Sequence, residues 1–117
     1  MDFGIKTESY GGTTAVIALA GEVDLYTAPE FKQELVRVIE EGATDIVIDL
    51  TDTSFIDSTT LGVLVSGLKR VRPSGGSLAL VVADRNIRKI FEITGLDRVF
   101  GLHEQRDDAL AALATKA

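Results

Sequence analysis

The sequence predicts a single α/β domain with a mixed, mostly parallel sheet of four or five strands and about four helices. Apolar runs of strand length alternate with segments that repeat apolar residues at helical spacing, in the order β-β-α-β-α-β-α-β-α. This alternation implies parallel neighbouring strands joined by right-handed crossovers. The 117 residues contain no linker, repeat or low-complexity segment, so we expect one domain over residues 1–117.

The chain opens with a predicted β-hairpin. Ile5 to Glu8 and Thr14 to Ala20 are typical of strands, and Tyr10-Gly11-Gly12-Thr13 favours a turn because paired glycines adopt positive φ readily. Gly21 to Asp24 is expected to leave the second strand. Thr27-Ala28-Pro29-Glu30 then opens a helix, in which we expect Thr27 and Glu30 to form a capping box.

The middle of the chain predicts a helix that ends at Gly42, a central strand and a second helix. The near-continuous apolar run Asp45 to Leu50 is typical of a strand covered on both faces. We interpret Asp49 and Asp52 as strand-end and turn residues that cap a connection over residues 51–54. The positions expected to face the core are Phe31, Leu35, Val38 and Ile39 in the first helix, and Leu61, Leu64, Val65, Leu68 and Val71 in the second.

The last third of the chain predicts two more strands and two more helices. Asp84 can cap the third helix, and Gly95 suits its end because glycine adopts the left-handed conformation found there. The expected bounds are Leu78–Ala83 and Val99–Leu102 for the strands and Asp107 onward for the fourth helix, which Leu110 and Leu113 anchor.

Composition argues against several classes of function. The chain has 18 acidic and 12 basic residues and a net charge of −6, so we expect no binding to nucleic acid or to an anionic membrane surface. No run approaches the roughly 18–20 apolar residues of a membrane span, and the first residues do not resemble a signal peptide. A cytoplasmic protein is therefore expected.

Metal binding and catalysis are also poorly supported. Cysteine is absent, the single histidine, His103, is expected at the surface or at a strand edge, and the acidic residues lack a metal-ligand spacing. Ser58 lacks the flanking glycines of a nucleophile elbow, and Gly75-Gly76-Ser77 lacks the lysine of a P-loop. We therefore expect no metal site and no enzymatic activity.

Ser58 is the most informative candidate residue. It lies in Asp57-Ser58-Thr59-Thr60-Leu61-Gly62, where the central strand gives way to a helix. The first backbone N–H groups of a helix lack internal partners and lie at the positive end of its dipole, so a phosphate on Ser58 would be favoured there. The structural alternative is that Ser58 only caps the helix.

Three segments carry a family resemblance: Gly21 to Pro29, Ile56 to Leu64, and Phe91 to Phe100. They resemble, in order, the Gly-Glu-hydrophobic-Asp loop, the Asp-Ser-Ser/Thr-Gly-Leu-Gly phosphorylation motif and the Thr-Gly-Leu segment of STAS domains, and among these the bacterial anti-sigma factor antagonists. The resemblance covers roughly Ile5 to Leu113. Thr60 departs from the pattern, which usually has glycine there. This β-branched residue is expected to narrow partner choice, to slow phosphorylation or to supply another modifiable hydroxyl.

The resemblance implies a phosphorylation switch. The unmodified protein would bind an anti-sigma factor that is also a serine kinase, and this would free a sigma factor. The kinase would use its own ATP and Mg²⁺ to phosphorylate Ser58 and end the complex, so no cofactor is expected in this chain. A metal-dependent serine phosphatase would reset the switch. The expected contact face is Asp24, Tyr26, Thr27, Asp57, Ser58, Thr59 and Thr60.

Two alternatives remain open from the sequence. One is a STAS scaffold or transporter-associated module without a phosphorylation cycle, which Thr60 favours. The other is a phospho-aspartate receiver or a small α/β enzyme, which the alternating strands and helices allow. A receiver is disfavoured because the chain lacks an acidic pair after its first strand and a lysine near its last.

Overall fold

The computed structural model describes residues 3–114, and within them five strands form one mixed sheet in the order β1-β2-β3-β4-β5. β1 pairs with β2 in antiparallel fashion, and every other pairing is parallel. The predicted fold class and the order of elements are therefore confirmed. The strands are β1 (Gly4–Tyr10), β2 (Thr14–Val23), β3 (Asp45–Ile56), β4 (Ser77–Val81) and β5 (Gly101–His103).

Four helices cover the sheet within the described range: α1 (Ala28–Glu40), α2 (Ser58–Val71), α3 (Arg85–Thr94) and α4 (Arg106–Ala114). The main core lies between α1, α2 and α3 and one face of the sheet, and α4 packs on the opposite face. The predicted core positions of α1 and α2 are buried or partly buried against this core. In residues 3–114 no helix combines the length and the apolar composition that a bilayer span requires.

The short helix α4 is held by a charged contact as well as by apolar packing. Ala109 is fully buried, whereas the predicted anchors Leu110 and Leu113 are only partly buried. The Arg106 guanidinium lies 3.0 Å from a carboxylate oxygen of Asp49 in β3. Asp49 is 7% exposed and lies within the strand, so its predicted position at the strand end is wrong.

β3 continues through residues 51–54, so the predicted connection there is wrong, and β2 likewise extends to Val23. The register shows two β-bulges, each with one extra residue in β3. The buried positions Leu50, Thr53 and Ile56 therefore recur at every third residue instead of every second. Thr53 is tolerated inside because its hydroxyl donates to the Leu19 carbonyl oxygen at 2.9 Å.

The helix ends follow the sequence with one exception. Asp84 caps α3 as predicted, since its carboxylate accepts from the backbone N–H groups of the first turn, and Gly95 (φ 77°) ends that helix. Thr27 precedes α1 but forms no capping box. Its hydroxyl instead accepts from the Asp24 N–H and donates to the Glu22 carbonyl oxygen, each at 2.9 Å, so it stabilises the preceding loop.

Candidate functional site

The two segments singled out from the sequence leave the sheet side by side. β2 and β3 are parallel neighbours, and their register pairs Val23 with Ile56. The residues that follow each strand, Asp24–Thr27 and Asp57–Thr60, therefore meet at one edge of the sheet. The Thr60 hydroxyl joins them, because it donates to the Val23 carbonyl oxygen at 2.6 Å.

Ser58 is the first residue of α2, and its side chain is exposed. The cap is Asp57, which has extended backbone (φ −128°, ψ −174°) and accepts from the Thr60 N–H at 3.2 Å. Capping therefore does not require the Ser58 hydroxyl, and this hydroxyl makes no hydrogen bond to the described residues. The Ser58 hydroxyl is therefore exposed at the positive end of the helix dipole.

The Asp24–Thr27 loop is closed on itself. One Asp24 carboxylate oxygen accepts from the backbone N–H groups of Tyr26 at 2.9 Å and Thr27 at 3.1 Å. Desolvation alone would raise the pKa of Asp24, but these hydrogen bonds outweigh it and hold the pKa below its ordinary value. The loop presents Leu25 and Tyr26 to solvent, with 61% and 88% of their surface exposed.

A groove between α1 and α2 extends this surface. Its volume is about 580 Å³, and Leu25, Pro29, Thr59 and Gly62 are among the residues that line it. Thr59 is half-buried there. A Cβ added at Gly62 would meet no atom within 4 Å, so packing within the chain does not require glycine at this position.

Thr60 does not lie where the sequence analysis expected it. The residue is fully buried, and its hydroxyl is bonded to a backbone carbonyl. It therefore neither crowds the exposed face nor offers a further modifiable hydroxyl, and its assignment to the contact face is corrected. Leu25 and Gly62 line the same groove but are not among the contact residues expected from the sequence, because a single apolar residue in a loop does not by itself indicate a contact surface.

The site has the character of a recognition surface. It combines an exposed serine hydroxyl, the carboxylates of Asp24 and Asp57, and the exposed side chains of Leu25 and Tyr26. His103 lies on the edge strand β5, as predicted, and is partly buried. Across the described part of the chain, no group of three or more His, Cys, Asp and Glu side chains is arranged to hold a metal ion.

The order of the strands, the four helices and the exposed serine at the start of α2 define a small mixed α/β domain. The family model for the STAS domain matches residues 5–109, and the chain belongs to that family. One relative is the anti-sigma-B factor antagonist of Bacillus subtilis, which is 42% identical over 86 residues, covering 74% of this chain and 78% of the relative.

Solved structures show the same fold. An anti-sigma factor antagonist from Mycobacterium paratuberculosis superposes with a TM-score of 0.88 at 29% identity, covering 97% of this chain and 95% of that one. The phosphorylated form of SpoIIAA from Bacillus has a TM-score of 0.74 at 21% identity, covering 93% and 98% of the two chains. At this lower identity the likeness is one of fold.

Proposed function

We propose that this chain is an anti-sigma factor antagonist that phosphorylation of Ser58 switches off. Unphosphorylated, it binds an anti-sigma factor with serine-kinase activity and frees a sigma factor, and a metal-dependent serine phosphatase restores it after modification. The observation that carries the proposal is the exposed, unbonded Ser58 hydroxyl beside the exposed Tyr26 loop, in a chain related to named antagonists. The cycle belongs to the cytoplasm, where transcription takes place.

The position of Ser58 supports modification without unfolding. A phosphate adds about −1.5 to −2 charge units and three acceptor oxygens. At the first residue of α2 the phosphate lies at the positive end of the helix dipole, so the isolated domain tolerates it. The ATP and Mg²⁺ of the reaction are bound by the kinase, so this proposal assigns no cofactor to the chain.

The same phosphate opposes a complex formed through this face. We define the contact face as the exposed parts of Asp24–Thr27 and Asp57–Thr59, together with Gly62. The carboxylates of Asp24 and Asp57 already carry negative charge there, and an interface fitted to a neutral hydroxyl would have to desolvate a dianion beside them. A loss of about 3 kcal/mol would weaken binding about 100-fold, which is sufficient for a switch.

The test uses two baits in lysate from the source organism, Ser58→Ala and Ser58→Asp, with mass spectrometry of the captured proteins. We expect a kinase-type anti-sigma factor with the alanine bait and none with the aspartate bait. Ser74→Asp is the matched control, because it adds the same charge at an exposed serine beyond the other end of α2. Capture of the same partner by both Ser58 baits would refute the switch and favour the scaffold or transporter-associated alternative.

A further inference from the structure

The Thr60 hydroxyl has a single proton to donate, and two acceptor oxygens lie within its reach. The Val23 carbonyl oxygen lies 2.6 Å from Oγ1, and a carboxylate oxygen of Asp57 lies 3.4 Å away. The shorter contact takes the proton, because a hydrogen bond weakens steeply beyond its usual length. Thr60 is fully buried, so water does not compete for this bond.

The bond connects the two halves of the contact face. Val23 is the last residue of β2 and directly precedes the Asp24–Thr27 loop, while Thr60 is two residues beyond Ser58 in the first turn of α2. The loop is closed internally by Asp24, whose backbone carbonyl and carboxylate accept from the loop's own N–H groups. A closed loop can still move as a unit about its base, where the pairing of β2 with β3 ends at Val23, and the Thr60 hydroxyl adds a bond at that point.

We infer that Thr60 is a positioning residue for the switch: its buried hydroxyl fixes the Asp24–Thr27 loop against the start of α2, so that a partner meets Tyr26 and Ser58 in one geometry. This inference rests on the proposed function for its consequence, but the coupling itself is a property of the isolated chain.

Two variants separate the hydroxyl from the bulk of the side chain. Thr60→Val keeps the shape and removes the donor, whereas Thr60→Ser keeps the donor and removes a methyl group. The measurement is backbone ¹⁵N relaxation on the free protein. In Thr60→Val we expect the order parameters of Tyr26 and Thr27 to fall from about 0.85 to below about 0.6, while Thr60→Ser stays near the wild-type values.

The α3 amides serve as the control for a general loss of structure. Unchanged order parameters at Tyr26 and Thr27 in Thr60→Val would overturn the inference. So would an equal fall along α3, or an equal fall in Thr60→Ser, because either would mean that the donated bond is not the cause. These results do not depend on a partner, so they are distinct from a failure of the proposed function.

A second measurement addresses the consequence for binding. The probe is the anti-sigma factor captured on the Ser58→Ala bait, titrated against variants that carry Ser58→Ala together with a substitution at Thr60. We expect Thr60→Val to weaken binding about tenfold and Thr60→Ser to restore it to within about twofold. Equal affinity of the valine variant and its parent would overturn the role in binding, even if the loop is more mobile.

Discussion

Two glycines of α2 lie in opposite environments and together test the packing of α1 against α2. Alanine at Gly67 would place its Cβ 2.6 Å from Cδ2 of Leu35 and 3.2 Å from Cδ1 of Leu78. Leu35 is only 2% exposed and has no solvent to move into. Gly62 is the matched control, because it lies in the same helix and its added Cβ meets nothing within 4 Å.

The magnitudes follow from two opposing effects. Alanine is favoured over glycine in a helix by about 1 kcal/mol. We therefore expect Gly62→Ala to raise the free energy of unfolding by about 0.5–1 kcal/mol. Overpacking at Gly67 costs about 1–3 kcal/mol, so a net loss of about 0–2 kcal/mol remains after the gain of about 1 kcal/mol in helix propensity.

Urea unfolding followed by far-UV circular dichroism measures both values, provided that the m-values agree. If Gly67→Ala is as stable as Gly62→Ala, the close approach of α1 and α2 is not present in solution and the reasoning fails. Gly62→Ala has a second expected effect. Because Gly62 belongs to the contact face, its alanine variant should be more stable than the wild type and yet bind the anti-sigma factor more weakly.

Three further predictions concern charged side chains. The hydrogen bond from Arg37 lowers the pKa of Glu34 from 4.5 to about 2. The stabilisation from this group is therefore complete above pH 4.5 and is lost as the pH falls toward 2. Since Arg37 is half exposed, we expect the free energy of unfolding of the wild type to fall over this range by about 1 kcal/mol more than that of Glu34→Gln. Acid titrations of both proteins measure the difference, and parallel stability curves for the two would contradict the prediction. Asp84→Ala should lose about 1 kcal/mol in urea unfolding and Asp84→Asn much less, so equal losses would argue against the cap. Arg106→Met should cost about 2 kcal/mol at neutral pH because it leaves the buried Asp49 carboxylate without its cation, and wild-type stability would refute this.

The order of elements can be predicted from the sequence because most of them follow a single periodicity from end to end. The second half of β3 does not. Its two bulges each insert a residue, and the core positions Leu50, Thr53 and Ile56 then follow a period of three that matches neither a strand nor a helix. A polar residue at one of these positions strengthens the misleading resemblance to a loop.

The candidate site shows the same division between local and distant causes. Ser58 at the helix start and the adjacent loop are predictable, since each depends on a few consecutive residues. The burial of Thr60 is not, because its partner, the Val23 carbonyl, lies 37 residues earlier in the chain. Thr27 differs from the prediction for a related reason. Its hydroxyl can bond either to the first turn of α1 or to the preceding loop. In the folded chain it bonds to Asp24 and Glu22, which precede the helix.

The bulges of β3 also make the position of Ser58 depend on residue count. From the last pairing of β3 with β4, at Asp49, the chain passes both bulges before it reaches α2. Deleting one residue between Asp49 and Ser58 would turn the following side chains to the opposite face of the sheet and rotate Ser58 away from the Asp24–Thr27 loop. Over evolutionary time, sequences that retain this surface should therefore gain and lose residues freely at the turn between β1 and β2, while the spacing from Asp49 to Ser58 stays constant.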